Sequence, residues 1–189
     1  MYEVRIHGRG GQGVVTAAEL LSVAAFEQGR YAQAFPSFGS ERTGAPVVAY
    51  CRISDAPIRT REPVEQADAV LVQDTTLLGL PGVLDGLRSG GTVLVNSPRT
   101  PAELGLAARG PGRLLTVPAT GIAERHLGRP LPNAALLGGL AAVCPLVAIE
   151  AVAAAIGTRF TGAVAAANQA AAREAYTVVR EELSDVAAG

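Results

Sequence analysis

The chain has 189 residues, 49% of them hydrophobic and only 17% charged, against about 25% charged in an average globular domain. That length suits one domain spanning residues 1–189, which should bury about 70% of its unfolded surface and needs no disulfide or metal staple to fold. All 16 basic residues are arginine, and with 17 acidic residues the net charge is -1. This leaves no electrostatic footprint for nucleic acid or an anionic membrane, and the hydrophobic fraction excludes intrinsic disorder.

The run Tyr2-Glu3-Val4-Arg5-Ile6-His7 alternates as a first strand does, and Gly8-Arg9-Gly10-Gly11-Gln12-Gly13 reads as a tight turn. Val14, Ala18, Leu21 and Ala25 recur at helical spacing, which predicts a helix from Gln12 to about Gln28 stopped by Gly29. A short extended piece (31–35), a loop (36–45) and a strong strand (46–53) follow. The runs at 69–73, 92–96 and 113–117 lack alternation, as expected of parallel strands covered on both faces by helices. Short helices are predicted at 77–87, punctured by Pro81, and at 121–127.

The last third turns helical. Asn133 is a suitable N-cap for a helix at 134–143, and further helices are predicted at 146–156 and 161–183. The stretch from Ala134 to Ile149 carries no charge, but it is short of the roughly 20 residues of a membrane span and is interrupted by Gly138, Gly139 and Pro145. Glu3, Arg5 and His7 interrupt the start, so no secretory leader is expected. The alternation of strands and helices defines an α/β class: a Rossmann-like, mostly parallel sheet covered by helices, with a helical C-terminal third. Thirty-five alanines and eight aromatics predict close packing of the helices.

A glycine turn between a strand and a helix lets backbone amides approach an anion at the positive helix end. Gly8, Gly10, Gly11, Gln12 and Gly13 are therefore candidate cofactor-binding positions. The acid that bonds the ribose of a bound dinucleotide, about 20 residues on, has no counterpart between Arg30 and Ser40. Three readings stay open: a dinucleotide, an anionic cofactor tail reaching in from a neighbouring subunit, or a turn needed only for close packing. The loop Phe35-Pro36-Ser37-Phe38-Gly39-Ser40-Glu41-Arg42-Thr43-Gly44 places hydroxyls, an aromatic and an ion pair between glycines. In it, Arg42 could fork onto a phosphate or carboxylate, or pair with Glu41. Asp74, Asn96 and Thr120 fall at strand ends, where open α/β sheets place ligands and where helix caps also sit.

No nucleophile elbow, Walker loop or zincin helix occurs. The two histidines, His7 and His126, have no evident partner, and independent catalysis is not expected. Cys51 and Cys144 stand 93 positions apart without paired spacing, which argues against a cluster or structural zinc in this chain and for free thiols in a reducing compartment.

Taken together, these stretches resemble the gamma subunit of pyruvate:ferredoxin oxidoreductase and related 2-oxoacid:ferredoxin oxidoreductases. The resemblance is carried by Ile6–Gly13, by Thr16-Ala17-Ala18-Glu19-Leu20-Leu21, by Tyr31–Gly39, Glu41-Arg42, Gly44-Ala45-Pro46, Arg52-Ile53 and Val72-Gln73-Asp74, and by Asn133 with Leu137-Gly138. It implies a non-catalytic subunit of an enzyme that oxidatively decarboxylates a 2-oxoacid, most plainly pyruvate, to acyl-CoA and CO2 with reduction of ferredoxin. Alpha, beta and ferredoxin-like delta subunits would carry thiamine diphosphate, Mg and [4Fe-4S] clusters, with no cofactor held by this chain alone. It also implies a cytoplasmic chain that packs beside the thiamine site, with Gly8, Gly10, Gly11, Gln12, Gly13, Ser37, Phe38, Gly39, Arg42 and Asn133 facing the approach of coenzyme A.

Several positions depart from the family pattern: Ser40, Thr43, Pro118, Ala134 and Ala135. Thr43 in place of a second arginine lowers the positive charge of the loop. A free-standing dinucleotide enzyme and a scaffold touching no cofactor are the competing readings. The low charged fraction, read beside the resemblance, predicts a surface largely covered by neighbouring subunits, since interface cores are depleted in charge.

Overall fold

The computed structural model describes residues 1–37, 43–106 and 112–188. One six-stranded sheet organises them, from β1 (Tyr2–Arg9), β2 (Tyr31–Pro36), β3 (Pro46–Ser54), β4 (Ala67–Val72), β5 (Leu87–Asn96) and β6 (Arg113–Val117), in the order β2-β3-β1-β4-β5-β6. β1, β4, β5 and β6 run parallel, while β3 lies antiparallel to both β1 and β2. Five helices complete the fold: α1 (Val14–Glu27), α2 (Ala119–Leu127), α3 (Asn133–Ala141), α4 (Ile149–Arg159) and α5 (Gly162–Ala188).

The chain leaves β1 to build β2 and β3 on one side, then crosses to build β4 to β6 on the other. The β1/β4 boundary is therefore a topological switch point, the place where open α/β sheets leave a crevice beyond the strand ends. Both the glycine turn, after β1, and Gln73-Asp74, after β4, lie at that crevice.

Among the described residues α-helices cover one face only, not both as the runs without alternation predict. Ile6, Leu71, Leu94 and Leu115 point to the side where Leu21, Ile122, Leu136 and Leu140 close the main core. The opposite face, bearing Tyr50, Val70, Val72, Val93 and Val95, is closed by Val64, Leu77, Val83 and Leu106 from segments without α-helix. This corrects the expected helix at 77–87. Only Thr75–Leu77 forms one turn of 3₁₀ helix, because Gly79, Pro81, Gly82 and Gly86 recur too often for an i→i−4 ladder, and Gly82 and Gly86 adopt positive φ. Leu77 and Val83 plug the sheet without helical spacing.

Two of the boundaries that differ from expectation bear on the glycine turn. β1 runs through Gly8 and Arg9, so the turn proper is Gly10–Gly13. Asn133 does not cap α3: the cap position is Pro132, and Asn133 starts the helix with its side chain turned inward against Gly13. The alanine-rich helices approach closely, as predicted. At Gly138 an added Cβ would run into the backbone of Ala172 on α5.

Candidate functional site at the glycine turn

Gly8 is a packing glycine. A Cβ there would lie 2.5 Å from Val14 Cγ2 and 3.0 Å from Gln73 Oε1, so its absence lets α1 lie against the end of β1. Gly11 (φ 92°) and Gly13 (φ 73°) are left-handed, which a side chain resists, and Gly13 is the cap residue of α1. Behind Gly13 stands the buried Asn133, whose Nδ2 lies 2.6 Å from where a Cβ would be.

The outer loop is tied to this turn. Gly10 N donates to Ala45 O (2.9 Å), Gly44 N donates to Gly10 O (3.1 Å), and Arg9 Nη1 donates to Gly44 O (2.9 Å). Ser37, at the other end of the loop, is exposed, with its amide on Val48 O (2.8 Å). Phe38, Gly39 and Arg42, with Ser40 and Glu41, lie outside the described residues.

A side-chain latch shapes the turn. Gln12 Oε1 accepts from Arg9 N (2.8 Å) and its Nε2 donates to Asp74 Oδ2 (3.1 Å), while Arg9 Nε pairs with the same oxygen at 3.2 Å. Burial raises the Asp74 carboxyl, but hydrogen bonds from Thr76 and Gln12 and the Arg9 charge outweigh it and hold the group below its ordinary range. The Gly10 and Gln12 amides are thus occupied, Gln12 N by Arg9 O. Among the described residues the Gly11 and Gly13 amides meet no acceptor, and the first turn of α1 contains no acid. Gly11 is exposed. Among the described residues this leaves the positively polarised helix end without an acceptor.

Beside it, Gln12, Gln73, Asp74, Asn96, Thr120 and Gly121 line a cavity of about 440 Å³ at the strand ends. Asn96 Nδ2 donates to Gln73 O (2.9 Å) and Thr120 Oγ1 (2.7 Å), and its Oδ1 accepts from Thr120 N (3.0 Å), capping α2. Asp74 caps the 3₁₀ turn through Thr76 N (3.0 Å). Asp74, Asn96 and Thr120 therefore share one cavity, in which Asp74 and Asn96 also serve as caps and Thr120 is the helix residue that Asn96 holds. Gln73, only 1% exposed, has neither amide atom paired among the described residues. Sequence reasoning did not single it out as a site residue, although a glutamine closing the apolar run at 69–72 was its signal.

The histidines separate. His7 is buried on the other face of the sheet, whereas His126 reaches Glu174 on α5 (2.6 Å), a partner 48 residues away. Cys51 and Cys144 are free, buried thiols. No described helix is long and apolar enough to cross a membrane.

A family profile, pyruvate ferredoxin/flavodoxin oxidoreductase, matches residues 3–178. The common subunit gamma of the pyruvate/ketoisovalerate oxidoreductases of Thermococcus kodakarensis is 49% identical over 184 residues, covering 96% of this chain and 100% of the relative. The crystal structure of the pyruvate oxidoreductase subunit PORC of Thermotoga maritima superposes with a TM-score of 0.83 at 40% identity, over 93% of this chain and 95% of that one. A 2-oxoglutarate:ferredoxin oxidoreductase from Magnetococcus marinus shares the fold over 95% of this chain and 31% of its own, with a TM-score of 0.76 at 15% identity. The chain belongs to the pyruvate ferredoxin/flavodoxin oxidoreductase family. Within it, the chain is a gamma subunit of a pyruvate/ketoisovalerate-type 2-oxoacid:ferredoxin oxidoreductase, one component of a multisubunit enzyme.

Proposed function

We propose that this subunit lines the approach of coenzyme A in the assembled enzyme, with the glycine turn as its anion-facing surface. The observation that carries this reading is the N-terminus of α1, where the Gly11 and Gly13 amides are unpaired among the described residues and the first turn holds no acid. It sits at the sheet's switch point, with the 43–45 end of the loop bound alongside. A phosphate-bearing tail fits such an end, since the amides and the helix dipole both favour negative charge. The Magnetococcus protein that shares the fold holds coenzyme A and succinyl-CoA in its structure. Arg42, Ser37, Phe38 and Gly39 would border the same approach.

In this reading the chain is inactive alone. Alpha, beta and delta subunits carry thiamine diphosphate, Mg and the [4Fe-4S] clusters, pass electrons to ferredoxin, and pack against this chain beside the thiamine site. Its place is the cytoplasm, where two free thiols persist. The dinucleotide alternative is weakened by topology. In a dinucleotide fold the second strand lies beside the first and brings an acid to the ribose; here β3 intervenes and runs the opposite way.

Thr16→Glu tests the reading. Thr16 is in the first turn of α1 and lines the groove beside Arg9, Gly10 and Gly11. A glutamate there suits the helix dipole and should leave folding intact, but it repels an anionic tail. In the assembled complex the KM for coenzyme A should rise about tenfold or more, with kcat and the 2-oxoacid KM unchanged. An unchanged coenzyme A KM with intact assembly assigns the turn to packing.

A further inference from the structure

The face of the sheet without helices carries a second polar site, separate from the glycine turn. Alternation along β1 sends Glu3, Arg5 and His7 to that face, and β3 adds Tyr50 directly opposite Arg5. Glu3 is satisfied by Arg52 and Arg88. Arg5 is not matched in this way. It is 6% exposed, and its guanidinium donates to two main-chain carbonyls, Glu65 O (3.2 Å) and Asp85 O, while no acid side chain pairs with it among the described residues. Its Nε is buried without a partner there, and so is Nε2 of His7, itself 6% exposed.

Both residues line one cavity of about 270 Å³ between the sheet and the 77–83 segment, closed otherwise by Tyr50 and apolar groups such as Val48, Val64 and Val83. Asp85 acts on Arg5 only at a distance, and a buried cation in no direct ion pair is costly, so its natural complement is an anion. The rest of the lining is hydrocarbon and leaves room for a ligand of a few carbon atoms.

We propose that this cavity binds a small aliphatic carboxylate, its carboxylate held by Arg5, His7 and Tyr50 and its hydrocarbon end packed under Val64 and Val83. Burial, and then the Arg5 charge, lower His7 to about 4, so the ring is neutral near pH 7 and carries one N–H donor. The site lies on the other face of the sheet from the coenzyme A reading and does not depend on it. The same chemistry has two sources, a plain short-chain acid or a 2-oxoacid.

The test uses the full-length chain labelled with 15N at histidine, with isobutyrate as the probe. Only His7 and His126 contribute signals, and His126→Gln assigns them. Isobutyrate should move the His7 ring-nitrogen resonances saturably, and isobutyramide, equal in shape but uncharged, should not. Arg5→Met should weaken binding at least about tenfold. Because that change also releases the 65 and 85 segments, Tyr50→Phe, which deletes one hydroxyl, provides a weaker loss on an intact fold. Tighter binding of 2-oxoisovalerate than of isobutyrate identifies a 2-oxoacid as the ligand, and equal or weaker binding identifies a plain carboxylate. If acid and amide act alike, or neither moves His7, the polar trio is structural and the proposal fails.

Discussion

His7 and Gly8 are neighbours on one strand with opposite fates. Gly8 faces the helices and must lack a side chain, whereas His7 faces the coil-covered side and must lack a charge. The folded chain holds His7 at about 4, below the 6.5 of an unperturbed imidazole, because burial and Arg5 oppose protonation. The unfolded chain therefore takes up this proton first as pH falls. The stability that neutral His7 provides is complete above about 6.5 and is lost progressively down to about 4, a swing on the order of 3 kcal/mol. Urea midpoints followed from pH 7.5 to about 4 should fall less in His7→Gln than in the parent. Parallel curves would mean that His7 is not shielded as described.

Packing between elements explains the alanine and glycine content. α3 and α5 meet where Gly138 touches the Ala172 backbone, and an added methyl there has only backbone to push against. At Gly139 the same methyl would meet Leu94 Cδ2 at 2.9 Å and Val179 Cγ2 at 3.2 Å, side-chain tips that can give way. Gly138→Ala should cost about 1–3 kcal/mol or more, and Gly139→Ala clearly less. Denaturant titration of both variants checks the order, and equal losses would contradict it. At this scale much was legible in the sequence. The three apolar runs without alternation became β4, β5 and β6, buried on both faces, and the spacing of Val14, Ala18, Leu21 and Ala25 became α1, because each pattern states how its element is buried. The 77–87 segment misled because its leucines and valine serve a sheet face from irregular backbone, a use that helical periodicity does not describe.

Across the whole molecule, one ionic network spans four strands. Glu3 on β1 binds Arg52 on β3 (2.8 Å) and Arg88 on β5 (2.6 Å), and Arg88 also holds Asp68 on β4 (2.6 Å). Arg52, 3% exposed, further donates to Glu62 O (2.7 Å), fastening coil onto the sheet. Burial pushes the Glu3 carboxyl up, but the hydrogen bonds and charges of the two arginines bring it below its ordinary value. Glu3→Ala strands Arg52 as an unpaired buried cation and should cost about 3–5 kcal/mol. The loss should barely change between low and high salt, since buried pairs escape screening. A small or salt-sensitive loss would place the pair at the surface.

The sequence by itself determined the class of fold and the strand–glycine–helix unit, because hydrophobic period and glycine spacing are local properties of the chain, while its motifs carried the resemblance to the family. Only the tertiary structure decided which glycine amides stay free, that Gln73 joins Asp74, Asn96 and Thr120 in one cavity, and that Arg5 and His7 meet beneath a coil-covered face. Those facts depend on which strands become neighbours and which side chains take up the available hydrogen bonds, and contacts between residues tens of positions apart exist only once the sheet has formed.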